Sequence, residues 1–284
     1  MFVSLILATC GRVDEIGRLM ESLAAQSDPD FEVLVVDQNQ DDRLKGHIAS
    51  ALNSGLVVRH LRMSHPNLSE ARNFGIAEAK GEIIGFPDDD CWYESDTIAE
   101  LRRAFSLMPM SGGVVGRWVE QSQAVERRDE AVLTAREWRE FRGGDASSIT
   151  LFFRREVFDA AGLFDVRLGI GRWYGSSEET DMVMRILSKG IHMVRFDAAR
   201  VHHAFTRLGR AQSFEAAAST RLRARGTGAL YAKHKLSWRV IFRGFLAPLL
   251  RPMMFPFSSH GLRIGLALAR GRVEGYLSWL RNEC

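Results

Sequence analysis

Apolar runs of strand length alternate with segments of helical period over the first 90 residues, and each run stops at a polar or acidic position. FVSLILAT, residues 2–9, is followed by Ile16, Leu19, Met20 and Leu23 at helical spacing. Phe31 to Val36 runs into Asp37, and Leu56 to Leu61 carries the β-branched pair Val57-Val58. Ser69 is placed to cap a helix over 70–79 that Gly81 terminates, after which EIIGF, 82–86, leads through Pro87 into three aspartates. Strand, helix, strand in this order predicts an α/β fold with a mostly parallel sheet flanked by helices. Ligands bind at the carboxyl ends of such strands, and Thr9, Asp37 and Asp88 to Asp90 all fall there.

Beyond residue 110 the pattern is less regular: a charged stretch 117–142, the apolar LFF of 151–153, a helix near 155–161, and a Gly-rich loop from Gly162 to residue 175. Ser176 or Ser177 can then cap a helix beginning EETD, with Met182, Val183, Ile186 and Leu187 on its buried side and Gly190 closing it. At 284 residues and 46% hydrophobic, the chain can bury its own core and is neither disordered nor of low complexity. Cys10, Cys91 and Cys284 are odd in number and include no CxxC pair, which argues against a disulfide framework or a structural zinc site and fits a reducing cytoplasm. Met1 to Cys10 lacks a basic leader and is short for an export signal, so it reads as a first strand.

Three consecutive carboxylates, Asp88, Asp89 and Asp90, repel one another unless something positive balances them. Alternate acids suit a hard divalent cation such as Mg²⁺ or Mn²⁺ that also binds phosphate; a solvated acidic turn is the alternative. Glu178, Glu179 and Asp181 open a helix, where acids serve either chemistry or plain capping. Arg72 offers planar donors to a base or diphosphate, or an ion pair to Glu70 or a neighbouring acid. Of His202 and His203, one is a candidate metal ligand or phosphate donor, unless both are simply exposed. Trp173 and Tyr174 could stack on a sugar ring or pack in a core. No GxGxxG follows the first strand, no P-loop is present, and TCGRVDE is unlike the Gly-rich basic first loop of nucleotidyltransferases.

T-x-x-R (Thr9 to Arg12), VVD (Val35 to Asp37), ARN-x-G (Ala71 to Gly75), FPDDD (Phe86 to Asp90), GLFD (Gly162 to Asp165) and SEETD (Ser177 to Asp181), in this order, resemble family 2 glycosyltransferases of the GT-A fold. The likeness covers roughly residues 1–205. It implies a nucleotide-sugar donor, a UDP-sugar above all, an inverting transfer to a glycan or lipid-linked hydroxyl, and a divalent metal, Mn²⁺ or Mg²⁺. Carried over, Thr9, Asp37 and Arg72 hold the nucleoside with Arg12 as an addition, and Asp88 and Asp89 lie near the ribose. Asp90 is the principal metal ligand, with Asp88 supporting and His203 a third candidate. The family's general base maps to Glu179, with Asp181 as its rival because this chain reads Glu-Glu where Glu-Asp is usual; Glu178, Trp173 and Tyr174 would face the acceptor. Family members of this type build bacterial cell-surface polysaccharide. A catalytically silent sugar-nucleotide-binding or scaffold protein on the same fold is the alternative reading.

Charge divides the chain. Residues 1–202 carry 24 Lys and Arg against 32 Asp and Glu, whereas residues 203–284 carry 14 against 3. The expected organisation is a catalytic domain over 1–205 and a basic, helical extension over 206–284. Trp238, Phe242, Phe245, Leu249, Met253, Met254, Phe255 and Phe257 stand among Arg239, Arg243 and Arg251, and Arg243 and Arg251 interrupt the best membrane-spanning candidate, around residues 240–257. Leu262, Leu266, Ala269, Val273, Tyr276, Leu277 and Leu280 follow at spacings of three and four, with Arg263, Arg270, Arg272 and Arg281 around them. The extension is therefore expected either to pack on the catalytic domain or a second subunit, or to dock on anionic lipid at the inner face of the cell membrane. No recognition motif supports a nucleic-acid partner.

Overall fold

The computed structural model describes residues 1–120, 131–141, 147–203, 213–254 and 258–283. Phe255, Phe257, Cys284 and much of the charged 117–142 stretch lie outside the described residues, as do the side chains of Arg251, Met253 and Met254. In chain order the elements are β1 (Val3–Thr9), α1 (Asp14–Ala24), β2 (Phe31–Asp37), α2 (Lys45–Asn53), β3 (Val58–Arg62), α3 (Leu68–Glu78), β4 (Ile83–Gly85) and β5 (Cys91–Tyr93). Next come α4 (Thr97–Leu107), β6 (Gly113–Trp118), α5 (Ala135–Arg139), β7 (Leu151–Arg154), α6 (Glu156–Ala161), α7 (Glu178–Ser188) and β8 (Met193–His203). Three long helices follow: α8 (Ser213–Lys233), α9 (Trp238–Met254) and α10 (Ser259–Glu283).

One eight-stranded sheet runs β3-β2-β1-β4-β7-β6-β8-β5. Four of its seven pairings are parallel, and the antiparallel ones all involve β5 or β7. β2 is buried throughout and β1 at all but Ala8, as strands covered on both faces require, which is why both read as near-continuous apolar runs. Their register pairs Thr9 with Asp37, so both polar ends reach the same rim. β5 pairs with β8 so that Cys91 opposes His203, which brings the end of β8 beside the aspartate loop between β4 and β5. Among the described residues, Cys10 and Cys91 are free thiols.

Helix α3 corrects one expectation. Its cap is Asn67, whose side chain accepts from the Glu70 N–H, while Ser69 is buried inside the helix. Gly75 lets α3 lie directly on β1, because a Cβ there would collide with the Ile6 side chain.

The chain separates into two compact units. The first comprises Met1–Ala135, Asp145–Phe164 and Arg185–Phe205 and contains the whole sheet. The second comprises Arg136–Gly144, Asp165–Met184 and Thr206–Cys284, so it contains more than the region after residue 205. Its framework is the pair α8 and α10. Gly228 faces the Arg272 carbonyl, and Gly271 and Gly275 face the carbonyls of Arg221 and Arg225, at separations that leave no room for a Cβ. Small residues four apart let two helix backbones meet, and Trp279, Tyr174, Leu168, Ala229 and Leu230 form the core beside that crossing. Among the described residues no helix is long and apolar enough to cross a membrane.

Candidate active site

The positive charge that three adjacent aspartates demand is supplied in part by this chain itself. Asp88 lies 3.4 Å from the Arg72 guanidinium and accepts from the Ser148 hydroxyl at 3.3 Å. Arg72 is only 2% exposed, its guanidinium 5.8 Å from the centre of the Phe86 ring and 5.6 Å from that of Phe164. The Asn73 amide exchanges two 2.9 Å hydrogen bonds with the Phe164 backbone and so ties the GLFD segment to α3. Asp89 accepts from the Thr9 hydroxyl at 2.8 Å and from Arg12 at 2.6 Å. Asp90 pairs with Arg12 through one oxygen, and its other oxygen is 2.9 Å from His203 Nε2. Burial raises the Asp90 carboxyl, but the bonds and charges of His203 and Arg12 hold it below the usual carboxylate range.

Asp88, Asp90 and His203 each offer one ligand atom within 4.8 Å of the others. Two hard carboxylates and one imidazole make a donor set that fits Mn²⁺ or Mg²⁺ with coordination positions to spare. The neighbouring His202 has a different role. Alternation along β8 turns it to the other face, where Glu120 and Glu94 lie 2.8 and 3.1 Å from its two ring nitrogens and Trp92 stacks on it at 5.2 Å. Glu120 also accepts the His203 backbone N–H at 3.1 Å.

Asp37, fully buried, accepts the Asn39 backbone and side-chain amides through Oδ1. Its Oδ2 meets His60 Nε2 at 2.9 Å and Arg62 at 3.0 Å. Burial pushes this carboxyl up, yet the bonds from Asn39, His60 and Arg62 outweigh it and leave the group below its ordinary value. Sequence reasoning missed His60 and Arg62. Their signal was available: two basic residues two apart on β3 share a face, and the register sets Arg62 opposite Asp37.

The remaining candidates lie in the second unit, around the start of α7. Asp181 is fully buried, 2.9 Å from Lys233 Nζ and 2.8 Å from His234 Nε2. Lys233 also donates to Asp165 at 2.7 Å. Burial raises Asp165, but Arg167 and Lys233 overcome that and hold it far below the usual range. Glu178 is buried at 2% exposure, whereas Glu179 is half-buried. The aromatic pair divides. Trp173 is 46% exposed with the Arg225 guanidinium 4.4 Å from its ring centre. Tyr174 does not match the expected sugar platform: it is 5% exposed, donates its hydroxyl to Ser278 Oγ at 3.1 Å and packs on Trp279 at 5.4 Å. It belongs to the helical core, held there by Ser278 and Trp279 of α10.

The family model described as "Glycosyl transferase family 2" matches residues 4–159, more than half of the chain. The poly(ribitol-phosphate) beta-N-acetylglucosaminyltransferase TarS of Staphylococcus aureus is 30% identical over 142 residues, which are 47% of this chain and 25% of that protein. Glycosyltransferase AglE of Haloferax volcanii is 25% identical over 181 residues, 57% of this chain and 56% of that protein. The chain thus spans about a quarter of the length of the TarS relatives and about half of AglE. Among solved structures, S. aureus TarS 1–349 in complex with UDP-GlcNAc superposes with a TM-score of 0.58 at 16% identity, covering 99% of this chain and 92% of that one. The mannosyltransferase PcManGT of Pyrobaculum calidifontis, in complex with GDP-Man and Mn²⁺, gives 0.63 at 17% identity over 99% and 79%. At such identities the likeness is one of fold, the GT-A fold that the motifs implied.

Proposed function

This chain belongs to glycosyl transferase family 2, and from that membership we propose that it moves a sugar from a nucleoside-diphosphate sugar to a hydroxyl group with inversion at the anomeric carbon. The observation that carries the reading is the convergence of Asp88, Asp90 and His203 at the strand rim. Asp90 is the principal ligand for Mn²⁺ or Mg²⁺, with His203 and Asp88 completing the set. The metal, when bound, neutralises charge on the departing diphosphate, a contribution of several kcal/mol. Thr9, Asp37, Arg72, Asp88 and Asp89 form the nucleoside side of the site. Arg12 pairs with both Asp89 and Asp90, beside the metal ligands. A UDP-sugar is the donor we favour, because TarS, 30% identical to this chain over 142 residues, was solved with UDP-GlcNAc.

Glu179 is the general base that takes the acceptor proton. Its rival Asp181 is sequestered by Lys233 and His234, which makes it an anchor for the first turn of α7. Trp173, half exposed, lines the acceptor side, and the acceptor is a glycan or lipid-linked hydroxyl in cell-surface polysaccharide synthesis at the cytoplasmic face of the membrane. A thermal-shift panel of nucleotide-sugars tests donor recognition. One donor is expected to raise Tm in the presence of Mn²⁺ and not in EDTA, since a ligand of the native state stabilises by mass action. A panel in which no nucleotide-sugar shifts Tm with either metal would refute the donor site.

A further inference from the structure

Helices α9 and α10 each expose an apolar stripe that their packing leaves uncovered. On α9, Trp238 is 71% exposed, Phe242 58% and Leu250 43%, spaced by four and eight residues along one side. Its opposite side meets neighbours in the same unit, with Pro248 against Gly265, and Phe245, which borders the stripe, packs on Tyr231 and Tyr276. On α10, Leu266 is 54% exposed, Val273 38%, Leu277 45% and Leu280 41%, while Gly271, Gly275 and Trp279 face inward. Exposed arginines accompany both stripes: Arg239 and Arg243 on α9, and Arg263, Arg270 and Arg281 on α10. Glu274 offsets little of this charge, because Arg221, Arg225 and Arg270 share it.

We propose that these two stripes form a docking surface for an anionic lipid bilayer, with the aromatic and aliphatic side chains entering the headgroup boundary and the arginines pairing with lipid phosphates. This deepens the reading above, on which the acceptor is presented at a membrane. Two properties favour lipid over a second copy of the chain. The basic excess of 14 against 3 beyond residue 202 would set like charges face to face in a self-contact, whereas an anionic surface complements them. An apolar stripe with Trp, Phe and Leu bordered by arginines is also the pattern of helices that lie in the bilayer interface without crossing it.

The test uses the full chain and sedimentation with vesicles, either pure phosphatidylcholine or phosphatidylcholine containing phosphatidylglycerol. The wild type is expected to pellet with the anionic vesicles, to stay in solution with the neutral ones, and to release as salt is raised. Trp238→Glu with Phe242→Glu should weaken that partition by about tenfold or more, since each change puts a carboxylate where an aromatic would enter the interface. Both side chains are exposed, so the double variant is expected to keep its melting temperature. Arg239→Gln with Arg263→Gln, a second variant that leaves the apolar stripe intact, should lower anionic binding alone. Equal pelleting with both vesicle types, pelleting with neither, or self-association abolished by the aromatic double variant would each overturn the proposal, the last assigning the stripes to a second copy. Donor-dependent melting shifts in the same samples report separately on the glycosyltransferase reading, so failure of one is distinguishable from failure of the other.

Discussion

Replacing Asp90 by asparagine is expected to lower turnover by at least a hundredfold and to remove the Mn²⁺-dependent part of donor binding. An amide keeps the shape of the side chain but loses the anionic oxygen that a hard divalent cation prefers, and a metal contribution of several kcal/mol corresponds to two or more decades in rate. The fold should survive. Asp90 sits on a loop, and Arg12 keeps its bond to Asp89 when Asp90 is altered. Turnover and metal-dependent donor affinity are the readouts. Wild-type values for both, in a protein whose wild type is inactivated by EDTA, would remove Asp90 from the metal site.

The second large effect is expected at the start of α7. Glu179→Gln should lose about 10² to 10⁴ in kcat while donor affinity stays unchanged, because glutamine fills the same space and accepts no proton. Asp181→Asn should behave differently. Removing a buried carboxylate takes one acid from Lys233, which keeps Asp165, and the Asp181 contact from His234, a loss on the order of 3 kcal/mol of stability that a lowered Tm would report. Catalysis per folded molecule should change little by comparison. An inactive Asp181→Asn with normal Tm beside an active Glu179→Gln would move the base by two residues and refute the assignment.

Much of the first unit was legible because its central strands are buried on both faces and therefore announce themselves as apolar runs. The aspartate loop was legible for an electrostatic reason: three adjacent carboxylates demand cations, and Arg12 and Arg72 supply some of that charge. What escaped depended on partners remote in the chain. β5 is three residues long and has no period to read; its pairing with β8 defines it. The cap of α3 is a local exception: it fell to Asn67 and not Ser69, because the Asn67 side chain is the one that reaches the Glu70 N–H. Trp173 and Tyr174 are adjacent and chemically alike, yet Ser278 and Trp279 draw only Tyr174 into the core. The close crossing of α8 and α10 likewise needs Gly228 from one helix and Gly271 and Gly275 from the other, a match visible only once the two backbones meet.

The most direct test of the account is to measure nucleoside diphosphate released from the preferred nucleotide-sugar by the wild type, with Mn²⁺, with Mg²⁺ and with EDTA, in the presence and absence of glycan acceptors. Release that requires the metal and accelerates with an acceptor is the predicted result. A protein that binds the nucleotide-sugar and releases no nucleoside diphosphate under any of these conditions would contradict it and leave a silent binding protein on a glycosyltransferase fold.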